Sequence, residues 1–464
     1  MSILRGQCRP AAFSGPLGFG SSFWAQKNQE RAGLPFWSWY PFRSFRSYVG
    51  SFLKATFSYG FGHTLISRPQ MGQVLLRDLM PALANKTYFN YGGQGPLPDP
   101  SLEAIVASWR TIQELGPFTT AVWPFVESQV AAVRSLLAEA CGVGPHRIAL
   151  TENVSSGCVL PLWGLQWQAG DELLISDCEH PGVVAACQEL ARRQQLTLAV
   201  LPVQALSAQS GADRLDAALL VSLEQSLTPR TRMVVLSHLL WNTGAVMPIT
   251  KVAERLQRHG RQPWLLVDAA QSMGSLAVAE AAAAADIYAF TGHKWLCGPE
   301  GLGGVALSER LLEQAQPTLI GWRSLRHEGN AASAWHGDAR RFEVATSCVP
   351  LLAGLASSLD LLAAVGSPET RLVQIRERSR QLWQGLQAIP GLDTLLQEPP
   401  PAGLVSFRLT GSTALSPEAV VAQLGSQAIW LRSLDDPHCL RACTHLTTTA
   451  GEVEVLLGAL ETIL

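Results

Sequence analysis

The sequence predicts an α/β fold: a large domain with a mostly parallel seven-stranded sheet flanked by helices, and a smaller α+β domain at the C-terminus. Three observations lead there. Seven short β-type runs, at 147–150, 173–176, 197–203, 233–237, 264–267, 287–290 and 303–307, alternate with helical stretches, and strands separated by helix-length segments pair in parallel. From about residue 350, long Leu/Ala/Arg helices are interrupted by only two or three strands. The 464 residues also exceed what one hydrophobic core supports, so two domains are expected.

In chain order, residues 1–80 are expected to be an extension outside the core. Of the chain's 35 aromatic residues, 15 fall in the first 62, and residues 1–70 hold one acid, Glu30, against eight Lys or Arg. An organellar transit peptide is Arg- and Ser-rich and poor in acids in this way. A membrane- or partner-binding arm shares the basic aromatic character. A misassigned start codon, or an unstructured extension, is the preferred reading. Residues 81–110 are expected to join the small domain, 111–345 to form the large domain and 346–464 the small one.

Composition excludes several classes. A net charge of −2 and a mean hydropathy of +0.14 leave no electrostatic footprint for nucleic acid. No apolar run is long enough for a membrane span. Nine cysteines are scattered with neither a paired framework nor a zinc-type Cys-x-x-Cys set, so no metal is expected and a reducing, cytoplasmic setting is. Organellar import through residues 1–75 stays open beside it.

Lys294 is the most informative residue. Only five of the 35 basic residues are lysines (Lys27, Lys54, Lys86, Lys251 and Lys294), so arginine fills nearly every generic cationic position. Lys294 sits between the apolar run 287–290 and a Gly/Pro loop. A desolvated amine can form a Schiff base and act as a base; a guanidinium does neither. The plain alternative, a surface lysine, loses ground to partners upstream. Asp268 and Gln271 follow the apolar run 264–267, and an acid at the carboxyl end of a parallel strand faces the crevice where α/β sheets bind ligands. His180 follows the run 173–176, with Pro181 suited to a first helical turn. Its imidazole could stack on a flat heterocycle or serve as a structural hydrogen-bonder. Ser155 and Ser156 open a helix after the run 147–150, where backbone N–H groups and hydroxyls cradle phosphate.

The order Ser-Ser-Gly (155–157), Glu-His (179–180), Asp-x-Ala-Gln (268–271) and Gly-His-Lys-Trp (292–295), with a Gly-Pro-x-Gly-x-Gly loop, resembles the class V aminotransferases, pyridoxal-phosphate enzymes of fold type I. The resemblance runs from about residue 81 to the C-terminus. Longer strings, among them 85–95, 236–244, 321–324, 341–347 and 440–443, are most similar to the cyanobacterial-type L-cysteine/cystine C–S lyases. The resemblance implies pyridoxal 5′-phosphate as cofactor, carried by Lys294 as a Schiff base. His180 would stack on its ring, Asp268 pair with the ring nitrogen and Gln271 with the phenolic oxygen. Ser155, Ser156, Thr291 and His293 would serve the phosphate, with Thr346 reaching it across a homodimer interface. Trp322, in the 321–324 string, joins the substrate side. Ala269 departs from the family's usual Gly, and Ser155–Ser156 from its usual Thr pair.

Arg432 and Arg441 lie nine apart around an Asp-Asp-Pro turn. Arg441 suits a bidentate grip on an α-carboxylate and Arg432 a second anionic group, such as the distal carboxylate of cystine; the alternative is that either is a surface residue. Cysteine desulfurases carry a nucleophilic Cys on a mobile loop before this last Arg. Here that loop is too short, and Cys439 is read as packing. The expected reaction is therefore β-elimination of L-cystine, or L-cysteine, to pyruvate, ammonia and a persulfide or sulfide. A transaminase or desulfurase acting on another amino acid is the alternative. A non-catalytic binding module would be favoured by loss of the lysine or the acid, and both are present.

Overall fold

Strands that are apolar on both faces build the central sheet. In a computed structural model, which describes residues 75–207, 211–326, 335–410 and 415–464, the first strand is β1 (Thr87–Tyr88) and the central sheet follows. Its members are β2 (Ile148–Thr151), β3 (Glu172–Ser176), β4 (Thr197–Leu201), β5 (Thr231–Val235), β6 (Trp264–Asp268), β7 (Ile287–Thr291) and β8 (Gly303–Leu307). The strand order is β2-β8-β7-β6-β5-β3-β4, parallel throughout except that β8 runs against both neighbours. Every residue of β3, β6, β7 and β8 is buried, as expected of strands covered on both faces. The run expected to reach Val203 ends at Leu201, because Pro202 has no N–H to extend the ladder.

Two apolar layers sandwich this sheet. On one face Cys158 and Leu162 of helix Val154–Gly164 and Val183, Cys187 and Leu190 of helix Pro181–Gln194 pack against Leu173, Met233 and Leu266. On the other, helices Trp123–Ala140, Ala212–Ser226, Ile249–Arg258 and Val349–Val365 cover Leu174, Val234, Leu265 and Val267. The edge strand β2 is closed by Glu343, whose Oε1 accepts from Leu150 N at 2.9 Å and from the Arg134 guanidinium at 2.5 Å. A buried ion pair of this kind holds its geometry because both charges also satisfy backbone groups.

The C-terminal region carries five strands where the sequence predicts two or three: β9 (Leu392–Thr394), β10 (Leu404–Leu409), β11 (Ile429–Trp430), β12 (Arg432–Leu434) and β13 (Cys439–Cys443). Four of these form an antiparallel sheet, β12-β13-β10-β9, backed by helices Pro368–Ala388, Pro417–Ser426 and Ala450–Ile463 through Leu382, Leu386, Val420, Leu424 and Leu456. β1 pairs in parallel with β11, so the segment that follows residue 81 is tied to this layer. Residues 1–74 of the expected extension lie outside the described residues. Residues 75–80 are anchored: Arg77 pairs with Glu452 at 2.8 Å and Met80 is buried. Among the described residues no single helix is long and apolar enough to cross a membrane.

Candidate active site

The chemistry-bearing residues follow the carboxyl ends of the parallel strands directly, the edge where open α/β sheets bind ligands. Asp268 is the last residue of β6, Lys294 lies three positions beyond the end of β7, and His180 caps the helix after β3. The Lys294 turn is held from below. Gly95 N donates to His293 O at 2.8 Å and Cys297 N to Lys294 O at 3.0 Å. A Cβ on Gly95 would stand 2.2 Å from Lys294 O, so the approach requires glycine.

Electrostatics give each group a distinct role. Lys294 is pulled down to about 8, chiefly by burial; Asp268 opposes this, while the Arg441 and Arg432 guanidiniums add to it. Roughly a quarter of such an amine is neutral at pH 7.5, against roughly one in a thousand for an ordinary lysine. The neutral amine is the nucleophile. Uptake of an aldehyde cofactor by the cofactor-free protein should therefore accelerate as pH rises toward 8 and level off above it, measured by stopped-flow absorbance. A rate still climbing steeply at about pH 9.5 would mean an unperturbed lysine. Asp268 is buried, and burial raises its carboxyl above the usual range; a 2.8 Å bond from Ala270 N and the charges of Lys294 and His180 oppose that rise. A carboxylate of raised basicity suits a partner that shares its proton.

His180 lies at the rim, its Nδ1 accepting from Gly182 N at 3.2 Å as the helix cap. That bond leaves the ring proton on Nε2. Burial lowers its pKa, and Lys294, Arg432 and Arg441 lower it further against Asp268. The ring meets the edge of Trp241 at 5.5 Å. Trp241 lies in the 236–244 string, which gave it no role of its own, yet its carbonyl also holds Arg441 Nη1 at 2.9 Å.

Arg441 is 1% exposed, and its Nε and Nη2 have no partner among the described residues. A Cβ on Gly92 would sit 2.9 Å from that Nη2 and 3.0 Å from Gln271 Oε1, so a backbone without a side chain leaves the guanidinium its room. Arg432 is exposed and directly opposite Arg441 across β12 and β13. Like charges in register repel, and among the described residues no acid pairs with either of them. Two guanidiniums without acidic partners on paired strands, one buried and one exposed, suit anions.

Gln271 is buried, with Nε2 donating to Gly92 O at 2.9 Å and Oε1 accepting from Trp295 Nε1 at 2.9 Å, which leaves its second amide N–H. Ser155 and Ser156 open helix Val154–Gly164, where Asn153 Oδ1 caps by accepting from Ser156 N at 2.9 Å; neither serine hydroxyl has a partner among the described residues. Thr291 is buried and shares a 2.8 Å bond with the half-buried His293 through Nδ1. Ala269 packs its methyl wholly into the core. Trp322 and Thr346 form a separate surface cluster: Trp322 Nε1 donates to Thr346 Oγ1 at 3.3 Å, and its ring meets Trp123. No hydrogen bond, ion pair or ring contact joins that cluster to Lys294, Asp268, His180 or Arg441 among the described residues. Cys439 is fully buried beside Leu395 and Leu434, and burial pushes its thiol up to about 12, which makes it unreactive.

The donor set fits pyridoxal phosphate. It comprises an amine of lowered pKa, a buried acid, a rim imidazole, two unpartnered hydroxyls at a helix N-terminus and a buried guanidinium with two unpartnered nitrogens for a carboxylate. Residues 125–456 match the model of the aminotransferase class V family. A solved structure of the cystine C–S lyase C-DES, in complex with its reaction product cysteine persulfide, is 44% identical, with a TM-score of 0.78, and the match covers 83% of this chain and 99% of that one. A lysine-to-alanine mutant of C-DES, with glycine covalently linked to its PLP cofactor, is 43% identical with a TM-score of 0.79, again covering 83% and 99%. Isopenicillin N epimerase of Amycolatopsis lactamdurans is 30% identical over 82% of this chain and 96% of its own length. A probable cysteine desulfurase of Pseudomonas aeruginosa is 31% identical over 70% and 77%.

Proposed function

The chain belongs to the aminotransferase class V family, and from that premise we propose that it is a C–S lyase catalysing β-elimination of L-cystine, and of L-cysteine, to pyruvate, ammonia and a persulfide or sulfide. It is a pyridoxal-phosphate-dependent enzyme acting on carbon–sulfur bonds. When bound, the cofactor supplies a ring that accepts the electron pair released at the substrate's α-carbon. Lys294 would hold it, with Asp268 at the ring nitrogen, His180 over the ring, Gln271 at the phenolic oxygen, and Ser155, Ser156, Thr291 and His293 on the phosphate side.

The residues of the chain do the rest. Arg441 grips the α-carboxylate and fixes the α-C–H bond relative to Lys294. Lys294, neutral in a useful fraction, takes the α-proton. Asp268 keeps a proton at the ring nitrogen. Arg432 binds the distal carboxylate of cystine, and the persulfide released from cystine departs more readily than the hydrosulfide released from cysteine. The observation that carries this reading is the in-register pair Arg432 and Arg441, without acidic partners among the described residues, whose charges both bear on Lys294. A desulfurase instead needs a reactive thiol here; Cys439 is buried with its thiol pushed up to about 12, and burial raises Cys443 too.

Incubation with L-cystine and no keto-acid acceptor tests the reading. Pyruvate and ammonia are expected in equal amounts. Alanine would identify a desulfurase, and dependence on an added keto acid a transaminase. Arg432→Ala should raise KM for cystine about fivefold, a modest effect for an exposed cation, with little change for cysteine. An equal change for both substrates would remove Arg432 from the distal site.

A homodimer with shared active sites, in the cytoplasm, belongs to the same proposal. Leu102, Val106 and Trp109 are exposed on one face of helix Asp99–Leu115. Phe118, 81% exposed, continues through ring contacts with Trp123 to Trp322 and Thr346. An apolar surface of this kind suits a second copy. Trp109→Glu is expected to shift the protein toward monomer in sedimentation velocity, while a wild-type monomer would place Trp322 and Thr346 outside the site.

A further inference from the structure

We propose that Glu179 is a positioning residue that bolts His180 and Asp268 into the relative geometry the cofactor ring requires, an inference that rests on the pyridoxal-phosphate reading. Glu179 is buried, and both oxygens of its carboxylate are hydrogen-bonded. Oε1 accepts from Ser176 Oγ at 2.6 Å and Ser237 N at 2.7 Å, and Oε2 accepts from Ser237 Oγ at 2.8 Å. Ser176 ends β3, and Ser237 lies just beyond its parallel neighbour β5, so one side chain ties two strand ends together.

Each tie leads to a cofactor-facing residue. On one side the next residue in the chain is His180. On the other, His238 N donates to Asp268 O at 3.1 Å, so the Ser237–His238 backbone passes the constraint to the acid at the end of β6. Burying a carboxyl in such a place costs free energy that an apolar residue of similar size would avoid. The expense is understandable if the direction of its hydrogen bonds matters. The charged neighbour facing it is Asp268, while the thiols of Cys158, Cys178 and Cys187 face it in a neutral state, raised by burial. Burial pushes Glu179 itself up to about 7, against the Ser176 and Ser237 bonds and with help from Asp268. Both charge states keep the clamp: the carboxylate accepts all three bonds, and the acid can donate one of them to the Ser237 hydroxyl.

The test compares the full chain with Glu179→Leu, Glu179→Gln and Ser237→Ala. It reads the Kd for pyridoxal phosphate, the visible-region circular dichroism of the saturated protein, and the melting temperature without cofactor. Glu179→Leu should raise Kd about tenfold and weaken the dichroic band, because the ring is no longer held asymmetrically. Glu179→Gln, which keeps an acceptor for Ser176 and Ser237 N, should restore both to within about twofold. Ser237→Ala should fall between, and it decides the matter if the leucine variant does not fold. A folded Glu179→Leu protein with wild-type Kd and dichroism overturns the proposal. So does Glu179→Gln as impaired as Glu179→Leu, or an unchanged Ser237→Ala where the leucine variant is lost. Failure of the wild-type protein to take up pyridoxal phosphate would instead sink the underlying reading.

Discussion

Lys294→Ala is expected to lower pyruvate formation from cystine by about 10⁴-fold and to remove the visible absorbance of the lysine-linked cofactor. The size follows from having no substitute. The other described lysines are surface residues, Lys251 paired with Asp216 at 2.8 Å and Lys86 bonded to Asn85 Oδ1 at 2.8 Å. Arginines crowd the site, but Arg441 and Arg432 cannot release a proton near neutrality. The alanine protein should fold, since the turn is held by main-chain bonds of Gly95 and Cys297 that do not involve the side chain. Steady-state assay with an absorbance scan checks it; retention of both signals would move the base elsewhere.

Asp268→Asn carries the second largest effect, a fall in kcat of about 10³-fold with KM little changed. The amide keeps an oxygen for Ala270 N, which now bonds the carboxylate at 2.8 Å, so the turn survives. What would be lost is the buried negative charge proposed to hold a proton at the ring nitrogen as charge develops at the substrate. Such an interaction is realised in the transition state rather than in binding, hence the split between kcat and KM. Parallel loss of cofactor affinity and no loss of kcat in the saturated protein would show that Asp268 anchors the cofactor without tuning it.

Much of the site was legible because each member follows an apolar run. Asp268, Lys294 and His180 stand at strand ends, and a parallel sheet gathers those ends on one edge. Arg432 and Arg441 were legible as a pair because a tight turn between short strands places residues nine apart opposite each other. The remainder depends on contacts that leave no periodic trace. The pairing of Thr87–Tyr88 with Ile429–Trp430 involves two residues a side, too few for alternation to register. The reversal of β8 depends on the loop 296–302, whose Gly and Pro residues fit several paths. Glu179 drew notice only as the neighbour of His180, since its three donors come from Ser176 and from Ser237, 58 positions away. Trp241 acts partly through its backbone carbonyl, which any residue shares. Trp322 and Thr346 could be recognised as motif members, while their separation from the Lys294 crevice within one chain is a matter of tertiary placement.

Locating the cofactor on the chain tests the Lys294-centred site most directly. The protein is loaded with pyridoxal phosphate, reduced with borohydride to fix any imine, digested and mapped by mass spectrometry. A single pyridoxyl-modified peptide containing Lys294 is the expected result. Modification at Lys86 or Lys251 with Lys294 untouched, or no modified peptide at all, would contradict it.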